Sequence, residues 1–278
     1  MNRTSGVRCG EKFGAGLGYR SELSQAIAAH REELDVIEIT ADQWLGDDAL
    51  SRLHEVVCDF PTVAHGVGMS VAGAGMIPED YLSEIRKITR ACEAPYYSEH
   101  LAMTHVPGLD SGHLCPPVIS EQSLRTCVRN IEQAQSVLGI PLALENITYT
   151  VAMADDHLAA ADFFADVVTA AESFILLDVA NLYINAQNHS FDPLEYLGRL
   201  PMDRVVHIHL AGGVVTETGK HIDSHSELIG DGIWQLAREA SRRCTPKTVI
   251  VEHDQEFPDI EDLLREVNLS RKIFFSPG

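Results

Sequence analysis

The chain has 278 residues, 45% of them hydrophobic and 22% charged, which is long for a single β-sandwich and ordinary for one α/β barrel. A formal charge of −20 repels phosphate backbones at long range and argues against nucleic acid as a partner; six scattered cysteines without a CxxC pair argue against a thiolate zinc site or a disulfide framework. No apolar run could span a bilayer and "MNRTSGVRCGEKFG" lacks the apolar stretch of a signal peptide, so a soluble, cytoplasmic protein is expected.

In chain order, short apolar runs alternate with amphipathic stretches. "FGAGLGY" (13–19) reads as a tight first strand, since it lacks the spacing of a dinucleotide-binding loop, and a helix is expected over 21–34. "DVIEIT" (35–40) precedes a helix-like segment at 47–59, and "TVAHGVGMS" (62–70) precedes one at 79–92. "PYYSEHLAM" (95–103) leads into a long connection, 104–119. The segment 120–138 follows, where Leu124, Val128, Ile131 and Leu138 fall at helical spacing behind an N-cap at Ser120. "PLALENIT" (141–148) precedes a helix over 155–171, and "FILLDVANLY" (174–183) reads as a strand before a helix over 192–199. "VVHIHLAG" (205–212) leads into a second long connection, 213–228, and a helix over 229–243; "TVIVEHD" (248–254) and a helix over 259–268 close the series. Eight strand-like runs, each followed by a helix-like segment, predict a (β/α)8 barrel, one domain over 1–278. Connections as long as 104–119 and 213–228 are usually functional.

The late strand-like runs end in ionisable side chains: His65, then Glu99 and His100, Glu145, Asp178, His209, and Glu252 with Asp254. In a barrel these ends meet around one mouth. Burying so many ionisable groups together costs heavily unless something compensates them, and divalent cations do so directly, with carboxylates and neutral imidazoles as ligands. Asp223 and His225, two apart in the second long connection, would aim at one point from an extended backbone, while Asn181 would either line the mouth or cap the next helix. His207 faces the same way as His209 one layer deeper and reads as a supporting or core residue; His113 and His221 are loop residues facing substrate or solvent. His30, His54 and His157 fall in helix-like stretches and carry no assigned role.

The motifs "GLGYR", "HGVGMS", "SEHLA", "LEN", "LLDVANLYINAQNHSFDP", "HIHLAGG", "IDSHSE…IW" and "VEHD", in this order over nearly the whole chain, resemble the multinuclear non-haem iron-dependent oxidative enzymes. That resemblance implies a triose-isomerase-type barrel that uses two or three irons, of mixed Fe2+/Fe3+ valence, and dioxygen to oxidise cysteine or other side chains of ribosomally made peptides. Outcomes in that family include oxazolone–thioamide formation in methanobactin and excision of a cysteine carbon in thiaglutamate biosynthesis. Carried onto this sequence, it implies a first ion held by His65, His100 and Glu145. Glu145 would bridge to a second ion held also by Asp178, His209 and Glu252, and Asn181, Asp223 and His225 would hold a third. Asp254 corresponds to a carboxylate placed to move protons, and Asn146, Asn188 and His189 to positions lining the mouth. The chain departs from the pattern after Glu38, where Asp42 and Gln43 stand near an expected acid, and after Arg20, where Ser21 and Glu22 replace an expected histidine. These departures bear on substrate identity. The resemblance also implies a precursor peptide as substrate and a separate recognition protein that delivers it, forming a heterodimer with the barrel. A metal-dependent hydrolase or isomerase of the endonuclease or sugar-isomerase barrel type is the alternative, since zinc or manganese suits the same ligands. A non-catalytic metal store would not need ligands from six strands.

Overall fold

The computed structural model describes residues 13–106, 108–150 and 157–276. Cys9 and the start of the helix expected over 155–171 lie outside the described residues. In chain order the strands are β1 (Gly14–Gly18), β2 (Val36–Thr40), β3 (Thr62–Gly66), β4 (Tyr97–His100), β5 (Met103–Val106), β6 (Leu109–Cys115), β7 (Leu142–Glu145), β8 (Phe174–Asp178), β9 (Val205–Ala211), β10 (Val214–Val215), β11 (His221–Ile222) and β12 (Thr248–Glu252). The α-helices are α1 (Ser24–Ala29), α2 (Asp47–Val57), α3 (Glu79–Ala91), α4 (Glu121–Leu138), α5 (His157–Ala170), α6 (Val179–His189), α7 (Pro193–Arg199), α8 (Asp231–Ser241) and α9 (Ile260–Phe275). Eight strands pair in parallel and close into a barrel in the order β1-β12-β9-β8-β7-β4-β3-β2, with helices around it. The (β/α)8 expectation is met.

Strand alternation divides the core in two. One face packs against the helices in a cluster that includes Ile37, Ile39, Leu142, Leu144, Leu177 and Val249. The other fills the barrel with a small separate cluster of Val36, Val63, Tyr96, Ala143, Leu176, Val206 and Ile250. The first strand is tight for a steric reason: a Cβ on Gly16 would lie 1.7 Å from the Val36 carbonyl oxygen of β2. Only glycine permits that approach.

Four expectations change. The run 174–183 is not one strand, because the Asp178 carboxylate accepts the Asn181 backbone N–H at 2.7 Å and starts α6 there. A short apolar run reads alike in a buried strand and a buried helix, so its periodicity could not place that break. The helix expected over 21–34 is a short α1 flanked by 3-10 turns, and the last helix continues beyond 268 to Phe275. The two long connections each fold into a two-stranded antiparallel ladder, β5 with β6 and β10 with β11. Among the described residues, no helix is long and apolar enough to cross a membrane.

Candidate metal centre

The side chains at the mouth are placed by the same alternation. Glu38, His65, Glu145, Asp178 and Glu252 each follow by two residues a member of the apolar cluster inside the barrel, namely Val36, Val63, Ala143, Leu176 and Ile250. All five therefore point inward, one layer nearer the C-terminal ends of the strands. His100 and His209 join them from β4 and β9, and the register sets His100 beside Glu145 and Asp178 beside His209. Glu99 has the opposite parity: its carboxylate accepts the backbone N–H of Met69 and of His100 outside the barrel.

His65 Nε2 and His100 Nε2 each lie 3.3 Å from Glu145 Oε2. His100 Nδ1 is 3.1 Å from the Gly66 carbonyl, which can only accept, so that nitrogen carries a proton. Burial opposes charge on the ring, but Glu145 and Glu99 raise its pKa to about 9, so Nε2 faces Glu145 with a second proton unless a metal ion takes its place. His65 is held likewise by Ser98 Oγ at 3.1 Å from its Nδ1. Two imidazole nitrogens this close to one carboxylate oxygen need a positive charge among them, either the proton on His100 or a metal ion that displaces it. His209 Nδ1 lies 3.0 Å from Glu252 Oε2 and 3.6 Å from Glu145 Oε1. His225 Nε2 is 2.8 Å from Asp223 Oδ1, and its Nδ1 is 3.1 Å from Asp254 Oδ2. Glu145 Oε2, Asp178 Oδ2, Asn181 Oδ1, Asp223 Oδ1 and the ring nitrogens of His209 and His225 are nonetheless buried without hydrogen-bond partners. Close approach without hydrogen-bond geometry is what ligands around a shared cation display, and the donors are the hard oxygen and imidazole types that suit divalent iron, manganese or zinc. The residues fit such ions.

Beside the trio Glu38/His207/His209, which reaches one layer deeper, three trios of ligand atoms cluster at the mouth among the described residues: His65/His100/Glu145, Glu145/Asp178/His209 and Asp178/His225/Glu252. The first two fall within the first and second sets implied by the resemblance. The last overlaps the third set through His225 but draws Asp178 and Glu252 toward it. Asn181 presents a carbonyl oxygen there because its amide donates to the Asn146 carbonyl at 3.1 Å. Asp223 and His225 are brought together by a turn rather than by extended backbone, since His225 sits at φ +48°. That turn is pinned where the His225 carbonyl accepts the Asp254 N–H at 2.8 Å.

One face of α6 holds the surrounding loops. Asn185 accepts the Tyr149 N–H and donates to the Ile147 carbonyl, and Asn188 accepts the His221 N–H at 2.9 Å and donates to its carbonyl at 2.8 Å. Asn146 does the same to the Asp178 backbone, accepting at 3.0 Å and donating at 2.9 Å. Each amide stands in for a strand edge.

Burial opposes charge on His209, but Glu252, Glu38 and Glu145 overcome it and hold the imidazole well above its usual range. Burial likewise opposes charge on His225, and contact with Asp223 and Asp254 raises it. Desolvation, reinforced by His100 and His209, lowers His65. Burial, Glu145 and Asp223 push Asp178 well up, whereas His209 and His225 outweigh the burial of Glu252 and hold it well down.

Two residues given no role from the sequence belong to this place. Arg20 donates from Nε to Asp254 at 2.7 Å and reaches Glu252 at 3.7 Å. Glu38 lies 2.9 Å from His209 Nε2; a lone acid on the inward face of a buried strand was the signal that could have found it. His207 is fully buried below His209, with ring centroids 4.7 Å apart, and His221 packs edge-on against Tyr183. A cavity of about 670 Å³ opens over the centre, and a cleft of about 1090 Å³ beneath the β5–β6 ladder shares Val67, Leu114 and Thr148 with it.

Residues 14–274 match the family described as "RiPP precursor modification enzyme MbnB/TglH/ChrH". The chain is 35% identical over 263 residues to a UPF0276 protein of Caulobacter vibrioides, covering 93% of each chain. It is 33% identical over 256 residues to a UPF0276 protein of Acaryochloris marina, covering 91% of this chain and 92% of that one. Among solved structures it resembles endonuclease IV from Thermus thermophilus at TM-score 0.56 and 18% identity, over 93% of this chain and 98% of that one. A D-tagatose 3-epimerase-like protein matches at TM-score 0.59 and 14% identity, over 93% and 96%. At such identities the likeness is one of fold.

Proposed function

The chain belongs to the family of RiPP precursor modification enzymes, and from that premise we propose that it oxidises a ribosomally synthesised precursor peptide, at a cysteine side chain, using two or three iron ions and dioxygen. The observation that carries this reading is the set of buried, unpartnered carboxylate, amide and imidazole atoms around Glu145, which contains no thiolate of the protein's own. His65, His100 and Glu145 would hold one ion, Glu145, Asp178, His209 and Glu252 a second, and Asn181, Asp223 and His225 a third. Iron bound there would supply electron transfer to dioxygen and a positive charge for a substrate thiolate.

The chain's own residues prepare the rest. Glu145 spans the two histidines on one side and His209 on the other, so one carboxylate fixes the spacing of the centre. His225 and Arg20 keep Asp254 ionised against its partial burial, with His225 at Oδ2 and Arg20 at Oδ1, so this carboxylate would orient those two groups and could take up a proton only after His225 turned away. The cavity of about 670 Å³ is large enough for a peptide side chain and its flanking backbone, and the adjoining cleft of about 1090 Å³ would take the neighbouring residues. A separate recognition protein would deliver the peptide in the cytosol, where reduced thiols are available.

Protein purified from iron-rich medium is expected to hold two to three metal ions per chain, mostly iron, with visible absorption from a ferric centre. Elemental analysis checks this. Stoichiometric zinc, with turnover that survives iron removal, would point instead to hydrolysis or isomerisation.

A further inference from the structure

We propose that Glu38 is a positioning residue for His209: its carboxylate takes the hydrogen bond from Nε2 and thereby makes Nδ1 the nitrogen that ligates. The proposal rests on ions being held at this centre and is independent of the reaction they serve. Glu38 is 2% exposed, and its Oε1 lies 2.9 Å from His209 Nε2. Its Oε2 lies 3.5 Å from His207 Nε2 and has no hydrogen-bond partner. On the opposite edge of the His209 ring, Nδ1 faces Glu252 and Glu145 at 3.0 and 3.6 Å. An imidazole that offers a lone pair at Nδ1 must carry its proton at Nε2, and a buried N–H needs an acceptor. Glu38 supplies it from β2, across the barrel from β9.

The ion-pair contact is short but lies off the hydrogen-bond direction. The terminal torsion of a glutamate is broad, so a turn of the carboxylate onto the N–H direction is open to Glu38 once an ion is held at Nδ1. His207, 3.5 Å from Glu38 Oε2, packs in turn against Tyr96 with ring centroids 5.7 Å apart. A carboxylate behind a ligating histidine fixes its tautomer and orientation and raises its basicity.

The test uses the full chain labelled with nitrogen-15 histidine and loaded with cadmium-113 as a diamagnetic stand-in. Scalar coupling is expected between cadmium and His209 Nδ1, with a proton retained on Nε2. Glu38→Leu, which removes the acceptor, should weaken the ion at His209 by about 10–100-fold in a cadmium titration while coupling to His65 and His100 persists. Coupling at Nε2 alone would overturn the assignment. Coupling at both nitrogens would overturn it too, because Glu38, His207 and His209 would then hold an ion of their own. So would affinity in Glu38→Leu within about twofold of the parent. If that variant does not fold, the coupling pattern of the parent decides alone. Absence of cadmium from His65 and His100 as well would remove the metal centre itself; its presence there without coupling at His209 Nδ1 would remove only this inference.

Discussion

At the scale of the residue, position in the barrel sets the severity of a change. Glu145 meets His65, His100 and His209 at once, so Glu145→Gln is expected to cost at least about 100-fold in turnover and to lower metal content at two positions. Asn181→Ala should weaken only the third ion, and His30→Ala and His54→Ala should leave metal content unchanged. Metal analysis with single-turnover kinetics reads all four, and full metal content in Glu145→Gln would displace the site. A second prediction concerns Glu266 on α9, whose carboxylate accepts the Ile229 N–H at 2.6 Å. Burial raises its pKa from the ordinary 4.5 to about 7. The folded chain thus holds this proton more tightly than the unfolded one. The resulting stability is fully present below about pH 4.5 and is lost as pH rises through about 7. Glu266→Gln keeps an acceptor without the charge. It should match the parent near pH 4.5 and exceed it by on the order of 2 kcal/mol at pH 8. Urea unfolding at both pH values checks this, and parallel curves would refute it.

At the scale of the element, α6 links fold and site. It starts on Asp178, carries Asn181 into the centre, and presents Asn185 and Asn188 to two loops along the same face. Asn188→Ala leaves both backbone groups of His221 without their amide partner, at a cost of about 1–2 kcal/mol. The β10–β11 ladder runs directly into Asp223 and His225. The variant should therefore show faster amide exchange at His221 and a weaker third ion, with the ion at His65 and His100 unchanged. Exchange mass spectrometry and metal titration separate these effects. Equal weakening of every ion would mean that α6 supports the whole barrel and not this loop in particular.

At the scale of the whole molecule, charge constrains the partner. With 21 basic and 41 acidic residues the chain carries −20, and Arg20, the one Lys or Arg among the described residues lining the cavity over the centre, is already engaged by Asp254 and Glu252. A peptide segment entering there should be neutral or basic near the modified residue, and encounter should slow as ionic strength rises. Pull-down with a candidate recognition protein, encoded beside this chain, is expected to capture a complex that binds the precursor. Tight peptide binding and full turnover by the isolated barrel would remove the need for that partner.

The sequence by itself determined the alternation of strands and helices and the mouth residues His65, His100, Glu145, Asp178, His209 and Glu252. Both signals are local, being a two-residue period inside a run and an ionisable group near its end. Tertiary structure alone decided what stands opposite what. Glu38 meets His209, and Arg20 meets Asp254, only because β12 closes against β1 and the register of eight strands is shared around the ring. The break between β8 and α6 was illegible for the opposite reason. A buried strand and a buried helix are equally apolar, and the Asp178 carboxylate that separates them acts through one hydrogen bond rather than through any period. The long connections gained their ladders and their clasp on Asn188 from contacts between segments distant in the chain, which no local pattern encodes.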